Sequence, residues 1–193
     1  GIKWIASFPD NMQKGLDRAQ AVVILNSMDN GRPTALLEGS IISAKRTAAG
    51  AALAARTLHP EGKGTTTVGL IGVGRINLEI LRFLLRVFPR IRRVVCYDSD
   101  VSRVSAFTAK AQTCGGDFEV ISAQSCMEVL TCAPLVSFAT TAVQPYFSDL
   151  RSFGDGTTIL NISLRDFMPE AVLAADNIVD DVDHVCRANT SLH

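Results

Sequence analysis

Two hydrophobic periods divide this chain. Residues 68–71 (VGLI) and 94–97 (VVCY) are short apolar runs of strand length. Between them Ile76, Ile80, Phe83, Leu84 and Val87 recur at the spacing of one helix face. The alternation continues: 101–112 reads as a helix, 118–121 as a strand, 123–130 as a short helix and 135–138 as a strand. Residues 158–162 and 177–179 complete an expected set of six strands. Strands alternating with helices define an α/β chain, here a Rossmann-type doubly wound parallel sheet with helices on both faces.

The first part of the chain has a different texture. Residues 21–26 (AVVILN) are strand-like, Asp29-Asn30-Gly31 is a tight-turn signal, and 34–37 can return as the second arm of a hairpin. Residues 40–58 then take helical spacing and are crowded with alanines. Such a surface suits a helix wedged between two layers. His59-Pro60-Glu61-Gly62 ends it, which places an expected domain boundary between 58 and 59. The sequence begins without Met and stops at NTSLH, so we expect an internal part of a longer protein.

Composition narrows the function. The 193 residues carry 19 Lys+Arg against 19 Asp+Glu, so no basic excess points to nucleic acid. No apolar run approaches the roughly 20 residues that span a bilayer, so no membrane partner is expected. The five cysteines are odd in number and scattered, and no histidine joins them at metal-site spacing. They read as reduced, mostly buried thiols of a cytoplasmic protein without a metal.

The sharpest chemical signal is the turn Gly72-Val73-Gly74 between strand and helix. The first glycine permits the tight turn, and the second lets a pyrophosphate approach the N–H groups of the helix N-terminus. Asp98 closes the next strand at roughly the expected spacing of about 20 residues, where a carboxylate binds ribose hydroxyls and disfavours a 2′-phosphate. NAD is therefore the expected cofactor, with Arg103 one helical turn on able to soften the preference. Asn77 replaces the third glycine and should push the helix outward or turn sideways. Asp98 or Asp100 can equally cap the helix from Val101.

In a parallel sheet, ligands meet the carboxyl ends of the strands. Three loops there carry suggestive residues: Ala139-Thr140-Thr141, Ser163-Leu164-Arg165-Asp166 and Asp180-Asp181. Asp166 can serve as a general base beside a nicotinamide, or merely cap the helix after Phe167-Met168-Pro169. Thr140 and Thr141 can bond the cofactor or cap strand ends. Lys3 and Arg46 are candidates to clamp an anion, with a structural ion pair to Glu38 or Asp10 as the alternative.

The stretches GIKWIASFPDN, EGSIISAKRTAAGAALAA, GLIGVGRINLEILRF and LNISLRDFMPE together resemble the ornithine cyclodeaminase/μ-crystallin family. The ISLRD stretch and Asn77 resemble the branch that acts as N-(2-amino-2-carboxyethyl)-L-glutamate dehydrogenase in 2,3-diaminopropionate biosynthesis for siderophores. The resemblance implies residues 1–58 as part of a mixed α+β substrate-binding and dimerisation domain. It implies 59–185 as the NAD-binding domain and 186–193 as the start of a return to the first. Lys3 and Arg46 would bind the α-carboxylate of an amino-acid substrate, with Lys3 and Asp166 in catalytic roles. Gly72, Gly74, Arg75, Asn77, Asp98, Thr140, Thr141 and Ser163 would contact NAD. A homodimer is implied for the longer protein. The implied reaction is oxidative cleavage to 2-oxoglutarate and 2,3-diaminopropionate. An ornithine cyclodeaminase, a ketimine reductase and a crystallin-like NAD(P)H-binding protein are the alternatives.

Overall fold

The computed structural model describes residues 1–60, 64–151, 153–188, 190 and 192–193; Glu61 and Gly62 of the expected boundary lie outside the described residues. The chain divides into two compact units, Gly1–Thr47 and Ala48–His193.

The first unit holds an antiparallel sheet of β1 (Ile2–Ser7), β2 (Ala19–Asn26) and β3 (Pro33–Glu38), in that order. β2 and β3 form the expected hairpin, with Gly31 at positive φ in its turn. β1 was not expected. All six of its residues are exposed, so it lacks the in-and-out alternation that marks a strand in sequence. Helix α1 (Ser40–Leu58) has the expected limits, and the division between units falls inside it.

The second unit is built on five parallel strands: β4 (Thr67–Ile71), β5 (Arg93–Tyr97), β6 (Glu119–Ser122), β7 (Leu135–Phe138) and β8 (Thr158–Asn161). Their order is β6-β5-β4-β7-β8. The chain therefore reverses its direction of travel between β4 and β7, which is the switch point where ligands bind in such sheets. Alternate strand residues face two cores. Val68, Leu70, Val94 and Leu135 pack with Ala48, Ala52 and Ala55 of α1, with Ile80 and Leu84 of α2 (Arg75–Val87), and with Val104 of α3 (Val101–Ala111). Ile71, Val95, Val136 and Phe138 pack with Val129 of α4 (Cys126–Cys132), Phe147, Phe167 and Ala171 of α5 (Pro169–Leu173). Each fully buried Leu or Ile here contributes about 1.5–3 kcal/mol.

Three expectations need correction. Residues 177–179 form no strand, so the sheet has five strands and not six. Ile178 is 67% exposed, and the Asn177 amide donates to the carbonyls of Val172 and Ala175, closing the end of α5 in place of joining a sheet. Asp180-Asp181 consequently do not leave a strand end; Asp181 accepts the His184 N–H at the start of α6 (Val182–Ala188). The thiols are free, but only Cys96 is buried, and Cys132 and Cys186 are exposed.

Candidate functional site

Gly72 lies at φ +84, and a Cβ there would sit 2.5 Å from the Ala139 carbonyl oxygen. Both conformation and space demand glycine, because the turn after β4 is pressed against the backbone leaving β7. Gly74 is different. A Cβ there would meet only Arg103 Nη2, at 3.7 Å, so the protein itself does not require glycine. The space over Gly74 opens in front of α2, whose first N–H groups have no carbonyl a turn earlier to receive them. That is the cradle a pyrophosphate needs, and Arg75 is the first residue of the helix.

Asp98 is 7% exposed and faces this turn. Its Oδ2 accepts the Val73 N–H at 2.9 Å and its Oδ1 the Asp100 N–H at 3.1 Å. Arg103 Nη1 stands 3.4 Å from Oδ2. The helix cap falls to Asp100, whose carboxylate accepts the Ser102 N–H and O–H. Asp98 is thus left at the strand end as the carboxylate that ties β5 to the glycine turn. The nicotinamide-nucleotide requirements of an acidic strand end, an open second glycine and a helix N-terminus that carries no side-chain cap fit together here.

Asn77 is wholly buried and turned beneath the turn. Its amide donates to the carbonyls of Ile71 (3.0 Å) and Gly72 (2.6 Å), and its Oδ1 accepts the Ser137 hydroxyl at 2.7 Å. Of the two expected outcomes, the side chain is the one seen to turn, folding under the loop. Asn77 thereby stitches α2 to β4 and β7 across the switch point.

A second cluster lies beyond Thr140. Asp166 is 0% exposed and accepts three hydroxyl donors: Thr140 (2.5 Å) and Tyr146 (3.0 Å) at Oδ1, and Ser163 at Oδ2. A carboxylate only accepts hydrogen bonds, and three O–H groups complement it. Backbone bonds fix the arrangement, since the Asp166 carbonyl accepts the N–H groups of Tyr146 and Phe147. Phe138, Phe147 and Phe167 pack edge-on or tilted beneath it. Between Ser163 and Asp166, Leu164 adopts φ +68, a conformation costing of order 1–3 kcal/mol that its surroundings must hold. Asp166 does not cap α5, whose N-cap is Met168 without a side-chain bond.

Burial, and next the Asp166 carboxylate, push the Tyr146 phenol far above its ordinary range. Burial likewise raises the Cys126 thiol to about 11, with a bond from Tyr146 acting the other way. The Thr140 and Ser163 hydroxyls are spent on Asp166, while Thr141 is exposed. Sequence reasoning did not include Tyr146 or Ser137. The signal for Tyr146 was present: a phenol in the loop that begins at Thr140.

Within the first unit, Lys3 Nζ lies 3.4 Å from Ser43 Oγ on α1. Ser43 and Arg46 are three residues apart and share a helix face, so Lys3 and Arg46 bring two cations to one face. Both are exposed, and neither forms an ion pair among the described residues. Glu38, an expected partner of Arg46, accepts the Ser40 N–H.

Fold and turn together define a Rossmann-type α/β protein with a carboxylate buried beyond the glycine turn. The chain belongs to the ornithine cyclodeaminase/mu-crystallin family, whose pattern it matches over residues 1–181. It is 34% identical over 182 residues to N-((2S)-2-amino-2-carboxyethyl)-L-glutamate dehydrogenase of Staphylococcus aureus, covering 94% of this chain and 53% of that protein. The crystal structure of CmnK superposes with a TM-score of 0.87 at 28% identity, over 96% of this chain and 54% of the other. An archaeal alanine dehydrogenase dimer with bound NAD gives 0.78 at 27% identity, over 94% and 56%. The chain thus spans about half the length of these relatives. Among the described residues no helix is long and apolar enough to cross a membrane.

Proposed function

We propose that the full-length protein is an NAD-dependent amino-acid dehydrogenase that cleaves N-(2-amino-2-carboxyethyl)-L-glutamate to 2-oxoglutarate and 2,3-diaminopropionate. The observation that carries this reading is the buried Asp166 carboxylate, linked through Thr140 to the backbone that Gly72 touches. The 34% identity to the Staphylococcus aureus enzyme supports the substrate.

NAD, when bound, supplies the hydride acceptor. Gly74, Arg75 and the first N–H groups of α2 would hold its pyrophosphate, and Asp98 its adenosine ribose. Thr141, with the backbone of Thr140 and Ser163, would line the nicotinamide end. Asn77 holds the turn from beneath. Lys3 and Arg46 bind substrate carboxylate and fix its orientation, which is where much of the rate arises. Asp166 takes the proton of the water that adds to the substrate imine, and the adduct then collapses to the two products. By analogy with the archaeal dimer, the full-length protein forms a homodimer.

The test is NADH formation by the full-length protein with the glutamate adduct, run beside L-ornithine. Stoichiometric NADH with the adduct alone is expected. Ornithine consumed without net NADH would mean a cyclodeaminase, and NADH bound without turnover of either would mean a reductase or binding protein.

A further inference from the structure

The carboxylate to which that reading gives proton transfer is sealed from solvent. Asp166 is 0% exposed, whereas Tyr146, bonded to its Oδ1, is 45% exposed. All three donors have second partners: Thr140 Oγ1 accepts the Ala142 N–H, the Ser163 hydroxyl also reaches the Phe138 carbonyl, and the Tyr146 phenol also bonds Cys126. Thr140 and Ser163, however, are only partly exposed. Tyr146 is therefore the one of the three that joins the buried carboxylate to the outside.

We propose that Tyr146 relays protons between Asp166 and the water that attacks the substrate. This rests on Asp166 being the acid/base residue. As the water oxygen forms its bond to the carbon of the protonated imine, which hydride loss from the amine leaves, the C=N pair moves onto nitrogen and neutralises it. The water O–H breaks, and its proton passes to Tyr146 Oη while the proton already there passes to Asp166 Oδ1. Tyr146 ends unchanged and Asp166 ends neutral; nothing is oxidised or reduced in the step.

The surroundings suit a relay. The titratable groups that face the phenol are Asp166 and, from α4, Cys126. Both, together with partial burial, favour the protonated phenol. The ring is held against Phe147 at 4.8 Å, and the Tyr146 N–H donates to the Asp166 carbonyl, so the geometry does not depend on the hydroxyl. Tyr146→Phe should keep its place.

The experiment compares wild type, Tyr146→Phe and Asp166→Asn in the full-length protein. Tyr146→Phe is expected to lower kcat by about 10-fold or more, with NADH affinity by fluorescence unchanged within about two-fold. The wild-type proton inventory in mixed light and heavy water should be curved, reporting two protons in flight. The tyrosinate absorbance assigned to Tyr146 by difference should appear at lower pH in Asp166→Asn. Wild-type rates in Tyr146→Phe at every pH, a linear wild-type inventory, or an unmoved tyrosinate transition would each overturn the relay. If Tyr146→Phe does not fold, the wild-type inventory and the Asp166→Asn titration still decide. Full turnover by Asp166→Asn would overturn the acid/base reading itself, whereas a dead Asp166→Asn beside a fully active Tyr146→Phe sinks the relay alone.

Discussion

The two loops that meet at the switch point are made by opposite means. The turn at 72–74 is local: a strand, two glycines and a helix within one stretch, tied from the next strand by the Asp98 carboxylate. The Asp166 cluster is gathered from the loops after β7 and β8, with hydroxyls at 140, 146 and 163 converging on one carboxylate. The first region excludes side chains so that a ligand can approach backbone. The second packs side chains until a charged group is sealed among donors. A cofactor cradle needs mainly backbone geometry, whereas a proton-handling group needs an environment of side chains.

Changes in the two regions should therefore separate binding from chemistry. Asp166→Asn should give the largest effect, a loss of about 10²- to 10⁴-fold in turnover with NADH affinity retained. Equal losses in both would show that the cluster supports the cradle and does no chemistry. Gly72→Ala should act the other way round. Its φ of +84 and the 2.5 Å approach to the Ala139 oxygen predict a destabilisation of about 2–4 kcal/mol in denaturant unfolding, with NADH binding lost. An unaltered unfolding midpoint would mean that the turn relaxes freely and that the contact with the β7 loop is incidental.

Asn77 ties the glycine turn to β7, the strand whose following loop carries Thr140 and Tyr146. Restoring the usual glycine by Asn77→Gly removes two donated bonds, leaves the buried Ser137 hydroxyl without its acceptor and adds the entropic cost of glycine. The expected loss is about 2 kcal/mol, and a double-mutant cycle with Ser137→Ala should show coupling of about 0.5–3 kcal/mol. Strict additivity would mean that the two sides of the switch point are held independently.

How much of this could be read beforehand follows the same division. The strand–turn–helix–strand stretch from 67 to 97 was legible because its signals are close in sequence and buried on both faces. The limits of α1 were legible from small residues at helical spacing. β1 was not, since exposure on both faces erases the alternation. The apolar pair at 178–179 gave a false strand because Asn177 spends its side chain on closing a helix. Asp166 stood out only as an acidic residue in a loop after a strand. Thr140 and Ser163 stood out as loop residues at strand ends, but their convergence on Asp166, with Tyr146 as third donor, depends on how the loops after β7 and β8 fold together.

The smallest expected effect runs through thiols on both sides of the sheet. Cys96 is buried in β5 among the residues that pack on α2, and Cys126 sits on α4 next to Tyr146. Burial raises both from an ordinary value of 9.0 to about 11, with the Asp98 carboxylate adding to the shift at Cys96. Folding thus retains protons that the unfolded chain releases. The stability this gives is fully present below pH 9 and is lost as pH rises towards about 11. Unfolding free energies of the full-length protein across that window should fall with pH, and Cys126→Ser should flatten the fall by removing one titrating group. An unchanged slope would place the alkaline loss elsewhere, in the Tyr146 phenol or in residues outside these two regions. Because Cys126 borders the Asp166 cluster, the same variant should leave Gly72 and the NADH affinity untouched, which keeps the two loops distinct even in their response to alkali.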